Sequence, residues 1–397
     1  MNYSFLKNKL ILIPFNFPKN WSADYITQTA FLLSKENKVI AFLWEDALSL
    51  REIMMKKFFK KESFPFFRQE GNLYFLNPIH FIPFKRFFFI TNLNLFLNVF
   101  ILKLIIKTKK LNTLPQILWL FHPCFWPLIK LFGKKTISIY DCADFFIIGN
   151  KKEKEQIKKE EIKLLKSVDK VFTNSYVLLN DKKKYRKEIF LVPQGFSFEA
   201  FKNPQQLPKN NPLLELKKPI IGYIGGINHR LDYLLIKRLT KDNPSLTFLL
   251  IGPLQKDFFQ KFEKELEKLK KIKNLHFIKN QPRELLATII DFFDICLIPY
   301  DIRQDFNRFC YPMKIFEYFY VGKPTVSTAI EELKRLQPYV KIAKDTNEFN
   351  KAIKNILKTA WPKKYSQKQK LLAIANSWEA KIKTIDKILN KNYGKKN

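Results

Sequence analysis

The chain has 397 residues, enough for two or three domains of ordinary size. Its 46% hydrophobic and 27% charged residues exclude a disordered chain, and only 10 glycines and 21 prolines exclude collagen-like or low-complexity architecture. Lysine and arginine total 71 against 36 acidic residues, leaving a net charge of +35 that favours anionic partners. The lysines are spread along the chain and accompany 40 phenylalanines, so compositional bias, and not a nucleic-acid arm, accounts for most of the excess.

The first apolar run, Leu10–Pro14, lacks the longer apolar core and small-residue cleavage site of a signal peptide and reads as a strand. Further continuous apolar strands are expected at Val39–Trp44, Ile117–Phe121, Thr136–Tyr140, Lys170–Thr173 and Ile189–Val192. Helical patterns lie between them near 24–35, 93–108, 151–167 and 175–186. Phe87–Ile106 is long enough to span a bilayer, but Asn92, Asn94, Asn98 and Lys103 interrupt it. A helix buried in a globular core is expected instead, with the flanking Lys85, Arg86, Lys107, Lys109 and Lys110 leaving contact with a membrane surface as the intermediate reading. Lys151–Lys170 alternates lysine with glutamate at helical spacing and predicts a salt-bridged amphipathic face.

Gly195–Pro219 carries four prolines and three asparagines and reads as the interdomain connection. The alternation then restarts. Strands are expected at Ile220–Ile224, Leu246–Ile251, Leu275–Ile278, Ile295–Pro299 and Pro324–Ser327. Helices are expected near 231–241, 257–271, 283–289, 313–320 and 346–358, with a closing amphipathic helix over Ser377–Asn390. The expected architecture is α/β, with two tandem doubly wound, Rossmann-like domains at 1–200 and 219–375, a linker at 201–218, and a terminal helical segment at 376–397. Ligands are expected outside the carboxyl ends of the strands, in a cleft between the domains.

Two constellations carry chemistry. In Ile220–Leu231 a buried strand runs into Gly225-Gly226 and then His229 and Arg230. Glycines there allow close backbone approach to an anion, although the dinucleotide fingerprint G-x-G-x-x-G is absent and a plain tight turn would need glycine too. In Pro299–Val326 a strand leads through a polar loop with Arg303, Asp305, Asn307 and Arg308 to Tyr311-Pro312-Met313-Lys314. The helix starting there, with Lys314, would hold a diphosphate. Glu317, one turn on, would accept hydrogen bonds from ribose hydroxyls. In the first half, His122 and the Asp141–Asp144 segment end strands, as does the stretch with Asn16, Lys19, Asn20 and Trp21. These are candidates for the acceptor side, with helix capping the alternative for the aspartates. The four cysteines form no C-x-x-C pair, and His80 and His276 have no ligand-like neighbours, so neither a disulfide framework nor a metal site is expected and a reduced compartment is the simplest reading.

The run Tyr311-Pro312-Met313-Lys314-Ile315-Phe316-Glu317-Tyr318, followed by Gly322-Lys323-Pro324-Thr325-Val326-Ser327, resembles the S-P-x-K-x-x-E-Y-x-x-x-G-K-P-V-V-S pattern of the retaining glycosyltransferases of family 4. Tyr140–Asp144, Thr173–Ser175, Val192–Phe196, Gly222–Gly226 with Leu231-Asp232, Leu250–Pro253 and Ser377–Glu379 match further motifs in order, the glycine segments being nearest to teichuronic-acid-type transferases. The likeness runs from about residue 136 to 390 and is weak before it.

The resemblance implies the GT-B fold and sugar transfer from a nucleotide-diphosphate donor with retention. It implies no cofactor and no bound metal, and a polysaccharide or glycolipid acceptor at the cytoplasmic membrane face, with an anionic membrane surface as a further partner and no nucleic acid. Arg230, Lys314 and the Gly225-Gly226 backbone would balance the leaving diphosphate, assisted by Glu317, His122 and Asp144, while His229, Tyr311, Pro312 and Met313 would line the donor site. Two positions depart from the family. Phe309 stands where many members carry a first glutamate, leaving Asp305 or Asn307 to replace it, and Tyr311 stands where they carry serine. The missing glutamate also admits a catalytically silent GT-B scaffold of a polysaccharide-assembly complex.

Overall fold

A computed structural model describes residues 5–15, 25–43, 48–49, 67–81, 88–147, 149–197, 199–255 and 265–393. Asn16, Lys19, Asn20, Trp21 and the start of the helix expected near 257 lie outside the described residues. The chain divides into two compact units, one of Met1–Pro193 with Trp378–Asn397, the other of Gln194–Ser377.

The first unit is built on strands β1 (Leu10–Phe15), β2 (Lys38–Leu43), β3 (Leu48–Ser49), β4 (Phe67–Glu70), β5 (Leu73–Leu76), β6 (Ile79–His80), β7 (Gln116–Leu120), β8 (Ile137–Cys142), β9 (Lys170–Thr173) and β10 (Phe190–Leu191). Eight of them form a sheet in the order β10-β9-β8-β7-β1-β2-β5-β4, and β3 pairs with β6 separately. All neighbours in the large sheet are parallel except β4 and β5, a short hairpin turning at Gly71 in the left-handed region (φ 60°). The parallel strands are buried along nearly their whole length, which is why they appear in sequence as unbroken apolar runs.

The helix Phe88–Thr108 is not enclosed in the core. Leu95, Val99, Leu102 and Ile106 pack against Leu10, Leu12, Ile40 and Leu118 of the sheet. Asn94 and Asn98, two of the asparagines that made the segment a poor membrane span, are buried on this inner face. Asn98 is buried and pairs with both the N–H and the carbonyl of Ile79 at 2.8 Å, completing the edge of β6. Among the described residues, no helix is long and apolar enough to cross a membrane.

The helix Lys151–Ser167 starts on a capping box of Asn150 and Glu153. The expected lysine–glutamate ion pairs along it do not form among the described residues. Exposed pairs of this kind gain little over solvation. Its one buried carboxylate, Glu161, instead accepts from Tyr140 at 2.8 Å and from Lys182 of the following helix at 2.6 Å.

The terminal helix Trp378–Tyr393 belongs to the first unit. Lys381, 1% exposed, pairs with the fully buried Asp141 at the end of β8. The Asp141 carboxylate also accepts from the Tyr25 hydroxyl at 2.7 Å and from the Trp119 indole at 3.3 Å, and Lys381 donates to Tyr25 as well. Asp386 accepts from the N–H groups of Phe5 and Leu6 at 2.9 and 2.7 Å. Asp141 is therefore a structural counter-ion, and neither the acceptor ligand nor the helix cap expected of it.

The second unit holds β11 (Ile220–Ile224), β12 (Thr247–Ile251), β13 (Leu275–Ile278), β14 (Ile295–Ile298), β15 (Thr325–Thr328) and β16 (Lys341–Ala343), all parallel, in the order β13-β12-β11-β14-β15-β16. Its helices include Tyr233–Asp242, Lys314–Val321, Thr346–Thr359 and Lys363–Ala375, the last of these absent from the sequence expectation. Gly195–Pro219 is no free connection. Phe196, Phe201 and Leu213 are buried in this unit's core, and its prolines punctuate a packed surface path.

Candidate functional site

In the second sheet the strand order reverses between β11 and β14, with β12 and β13 added on one side and β15 and β16 on the other. Loops leaving two such strands part company and open a crevice at the carboxyl edge. Gly225–Arg230 leave β11 and Pro299–Met313 leave β14, and the two segments are stitched together. Leu231 and Tyr300 form an antiparallel bridge. The Asp232 N–H donates to the Pro299 carbonyl, and the Asp301 N–H to the Arg230 carbonyl, both at 2.8 Å.

The β11 exit is tightly shaped. Gly225 has φ 146°, and a Cβ there would lie 3.2 Å from Lys314 Nζ. Gly252, at the end of β12 with φ 148°, lies so close beneath that a Cβ on it would sit 2.0 Å from the Gly225 oxygen. Both positions demand glycine by backbone conformation and by space. Beneath them, Tyr223 donates to the Gly226 carbonyl at 3.1 Å, and the Tyr318 hydroxyl accepts from the Ile224 N–H at 3.1 Å.

Arg230 and Lys314 converge on one aromatic ring. The Arg230 guanidinium lies 4.7 Å and Lys314 Nζ 4.9 Å from the centroid of Tyr300, which is buried. Lys314 also donates to the Tyr300 hydroxyl, and Phe306 meets Arg230 at 4.7 Å. The Arg230 Nε donates to Asn307 Oδ1 at 2.9 Å, while Asn307 Nδ2 donates to the carbonyls of Arg230 and Asp301, each at 3.1 Å. Asn307 is wholly buried and fully engaged, so it cannot replace the missing glutamate against a sugar. Asp305 on the short helix Asp305–Arg308 is exposed. Among the described residues no carboxylate neutralises Lys314. Two cations over one ring repel each other, and an anion between them relieves that repulsion.

The helix Lys314–Val321 starts at Met313 and ends at Gly322 in the left-handed region (φ 79°). Its first donors are less available than expected, because Ile315 N–H donates to the Pro312 carbonyl at 3.2 Å and Phe316 N–H to that of Met313 at 3.0 Å. The Lys314 side chain therefore carries more of the attraction for a phosphate than the amide dipoles do. Glu317 is half-buried one turn further on, and among the described residues no hydrogen bond or ion pair engages its carboxylate. Pro312 is buried and Met313 half-buried at the helix start, while His229 is exposed, its carbonyl accepting from Gln304 at 3.0 Å. The Tyr311 ring packs on Phe316 at 5.5 Å, and burial with Glu332 nearby raises its hydroxyl well above the ordinary tyrosine value. The serine-to-tyrosine departure thus feeds the core.

The remaining candidates belong to the first unit, where the order reverses between β1 and β7. His122 follows β7. Its Nδ1 accepts from the Cys124 N–H at 3.2 Å, its ring meets Phe146 edge-on at 4.7 Å, and burial lowers its pKa to about 4. At neutral pH it is a neutral imidazole whose proton is assigned to Nε2, because Nδ1 is occupied as an acceptor. Asp144 is half-buried in the loop that leads from β8 to Phe146. Sequence reasoning missed Tyr300, Phe306, Tyr223 and Tyr318, which position the cations and the glycine turn. Of these, Tyr300 alone carried a signal, an aromatic residue at the exit of an apolar strand. The four cysteines are free, and three are buried.

Two parallel-sheet α/β units, each with candidate residues at its switch point, make up the GT-B fold seen in solved structures. Sucrose-phosphate synthase from Thermosynechococcus elongatus aligns over 98% of this chain and 100% of its own at a TM-score of 0.73 and 15% identity. Anabaena Alr3699/HepE in complex with UDP and glucose aligns over 96% and 99% at 0.66 and 12%. Residues 218–359, which hold the β11 and β14 exits, match the family model described as Glycosyl transferases group 1 and form a domain of that type. In sequence the chain is 25% identical over 286 residues, 68% of its length and 70% of the relative's, to the Bacillus subtilis (strain 168) protein named "Putative teichuronic acid biosynthesis glycosyltransferase TuaH".

Proposed function

We propose that the protein is a retaining, family 4-type glycosyltransferase that moves a sugar from a nucleotide-diphosphate donor to a polysaccharide or lipid-linked glycan. The observation that carries this reading is the pairing of Arg230 and Lys314 over Tyr300, beside the Gly225-Gly226 turn, inside a glycosyl transferases group 1 domain. As the bond from the anomeric carbon to the diphosphate oxygen breaks, negative charge grows on the leaving group. Two fixed cations stabilise that charge more than they stabilise the intact donor, which accelerates the step without a metal ion. Glu317 accepts hydrogen bonds from the ribose hydroxyls. Neutral His122, as an Nε2–H donor, and Asp144 are assigned to sugar hydroxyls on the acceptor side. The neighbours whose names include UDP or UDP-2-fluoro glucose support a nucleotide-sugar donor.

Titration calorimetry with uridine and guanosine diphosphates tests the reading. One of the two is expected to bind, and Lys314→Ala is expected to weaken it roughly ten- to hundredfold, the value of a hydrogen bond to a charged group. A nucleotide-sugar panel read by thermal shift then identifies the donor. Binding of neither diphosphate would favour the silent scaffold suggested by Phe309, and unchanged binding and activity in Glu317→Ala would remove that residue from the site.

A further inference from the structure

The sugar end of the donor has no partner among the residues placed so far. Phe309 stands where a carboxylate would meet it, Asn307 is spent on Arg230, and Asp305 is exposed. The turn after β11 carries an unspent alternative. Asn228 is 8% exposed. Its Oδ1 accepts from the Arg230 N–H at 2.9 Å, and its carbonyl accepts from the Tyr233 hydroxyl at 2.8 Å. The amide is therefore held in one orientation, and its Nδ2 makes no hydrogen bond among the described residues. Gln255, half-buried past the end of β12, is in a similar state. Its backbone N–H donates to the Ile227 carbonyl at 3.2 Å, while its side-chain amide pairs with nothing among the described residues.

Both amides face one spot. A Cβ on Gly226 would lie 3.1 Å from Asn228 Nδ2 and 3.6 Å from Gln255 Nε2. A parallel bridge between Ile227 and Leu254 holds the two strand exits side by side there. Gly226 thus keeps open a space lined by two amide nitrogens. A nearly buried donor without a partner is costly, so two of them at one opening call for an acceptor from outside the chain. Charge and position decide which acceptor. Lys314 lies against Gly225 and, with Arg230, supplies the positive charge for a diphosphate, while Glu317 sits one turn further into the helix, where the ribose is assigned. The two amides lie against the next residue, Gly226, and are neutral. A diphosphate held at Lys314 with its ribose at Glu317 has one other end, the sugar. Sugar hydroxyls accept from an N–H and donate to an amide oxygen, and the Gln255 side chain offers both groups.

We propose that Asn228 and Gln255 hold the transferred sugar by its hydroxyl groups and set donor-sugar specificity in place of the absent carboxylate. The inference rests on the transferase reading and adds to it the residues that read the sugar.

Calorimetric titration of the full chain tests it, with uridine and guanosine diphosphates, UDP-glucose, UDP-galactose and GDP-mannose as probes. Asn228→Ser keeps a side-chain oxygen for the Arg230 N–H, and Gln255→Met keeps the length of glutamine without its hydrogen-bonding groups. Each variant should bind the free diphosphate within about twofold of the unaltered chain, which also shows that it is folded. Each should bind the preferred nucleotide sugar about five- to tenfold more weakly, as expected for a lost hydrogen bond, and discriminate less between UDP-glucose and UDP-galactose. An equal loss for the free diphosphate and its sugar would place the amides on the phosphates and overturn this inference while leaving the transferase reading intact. So would full affinity for every nucleotide sugar in both variants. Binding of no diphosphate and no nucleotide sugar by the unaltered chain would overturn the transferase reading and this inference with it.

Discussion

Replacing Lys381 by methionine tests what holds the terminal helix to the first unit. The Lys381 and Asp141 side chains are 1% and 0% exposed and 3.0 Å apart. Burial holds the Lys381 ammonium below the ordinary lysine value despite the attraction of Asp141. Desolvation therefore outweighs the Coulomb gain, as is common for buried pairs. Lys381→Met leaves the Asp141 carboxylate with only Tyr25 and Trp119 as donors and no counter-charge, a loss of about 3–5 kcal/mol. Adding Asp141→Asn removes the orphaned charge and should restore at least about 2 kcal/mol, a coupling energy that independent sites would not show. Urea unfolding followed by tryptophan fluorescence is the assay, because Trp119 bonds Asp141 and Trp378 meets Tyr25 edge-on at 5.0 Å. Proteolysis within Trp378–Tyr393 should also accelerate in the single variant. A single-variant loss below about 1 kcal/mol, or additive single and double variants, would refute this account of the helix anchor.

Three further outcomes are expected. His122 binds a proton at about pH 4 when folded, against an ordinary value of 6.5. Its contribution is therefore complete above pH 6.5 and falls by about 3 kcal/mol as pH drops through 4, an excess slope that His122→Asn should remove in denaturant midpoints. Gly252→Ala forces a methyl group to 2.0 Å from the Gly225 oxygen and should abolish diphosphate binding, whereas Gly133→Ala, strained by φ +78° but with open space around it, should cost about 1–3 kcal/mol of stability and leave binding intact. Asn307→Leu strips Arg230 Nε of its partner and removes one of the hydrogen bonds at each of two loop carbonyls, which keep the Asp301 and Gln304 N–H groups. It should destabilise the second unit by about 2 kcal/mol in chemical denaturation and weaken diphosphate binding, because the Arg230 guanidinium loses the amide that orients it over Tyr300.

Much of the fold was legible along the chain. Ile220–Ile224 and Lys170–Thr173 are strands at the predicted bounds because a parallel strand covered on both faces must be apolar at every position. The glycine turn after β11 and the Pro312–Glu317 segment were legible as well, since close backbone approach and a helix start restrict the residues that serve. The hairpin of Phe67–Glu70 and Leu73–Leu76 and the helix Lys363–Ala375 escaped. Each is short or evenly polar, and takes its shape from the sheet or helix it packs on.

What the amino-acid order determined by itself is local: which segments bury themselves, where they stop, and that Gly225, Arg230, Lys314 and Glu317 lie at strand exits and a helix start. Tertiary structure alone decided that Arg230 and Lys314 share the Tyr300 ring, that Asn307 is spent on holding Arg230, that Asp141 answers Lys381, and that Phe96, Phe100 and Leu104 stay exposed. The reason is physical. Burial and backbone preference act between neighbours and leave a periodic trace, whereas a charge or an aromatic ring finds its partner across hundreds of positions, and nothing in the spacing records which one it will be.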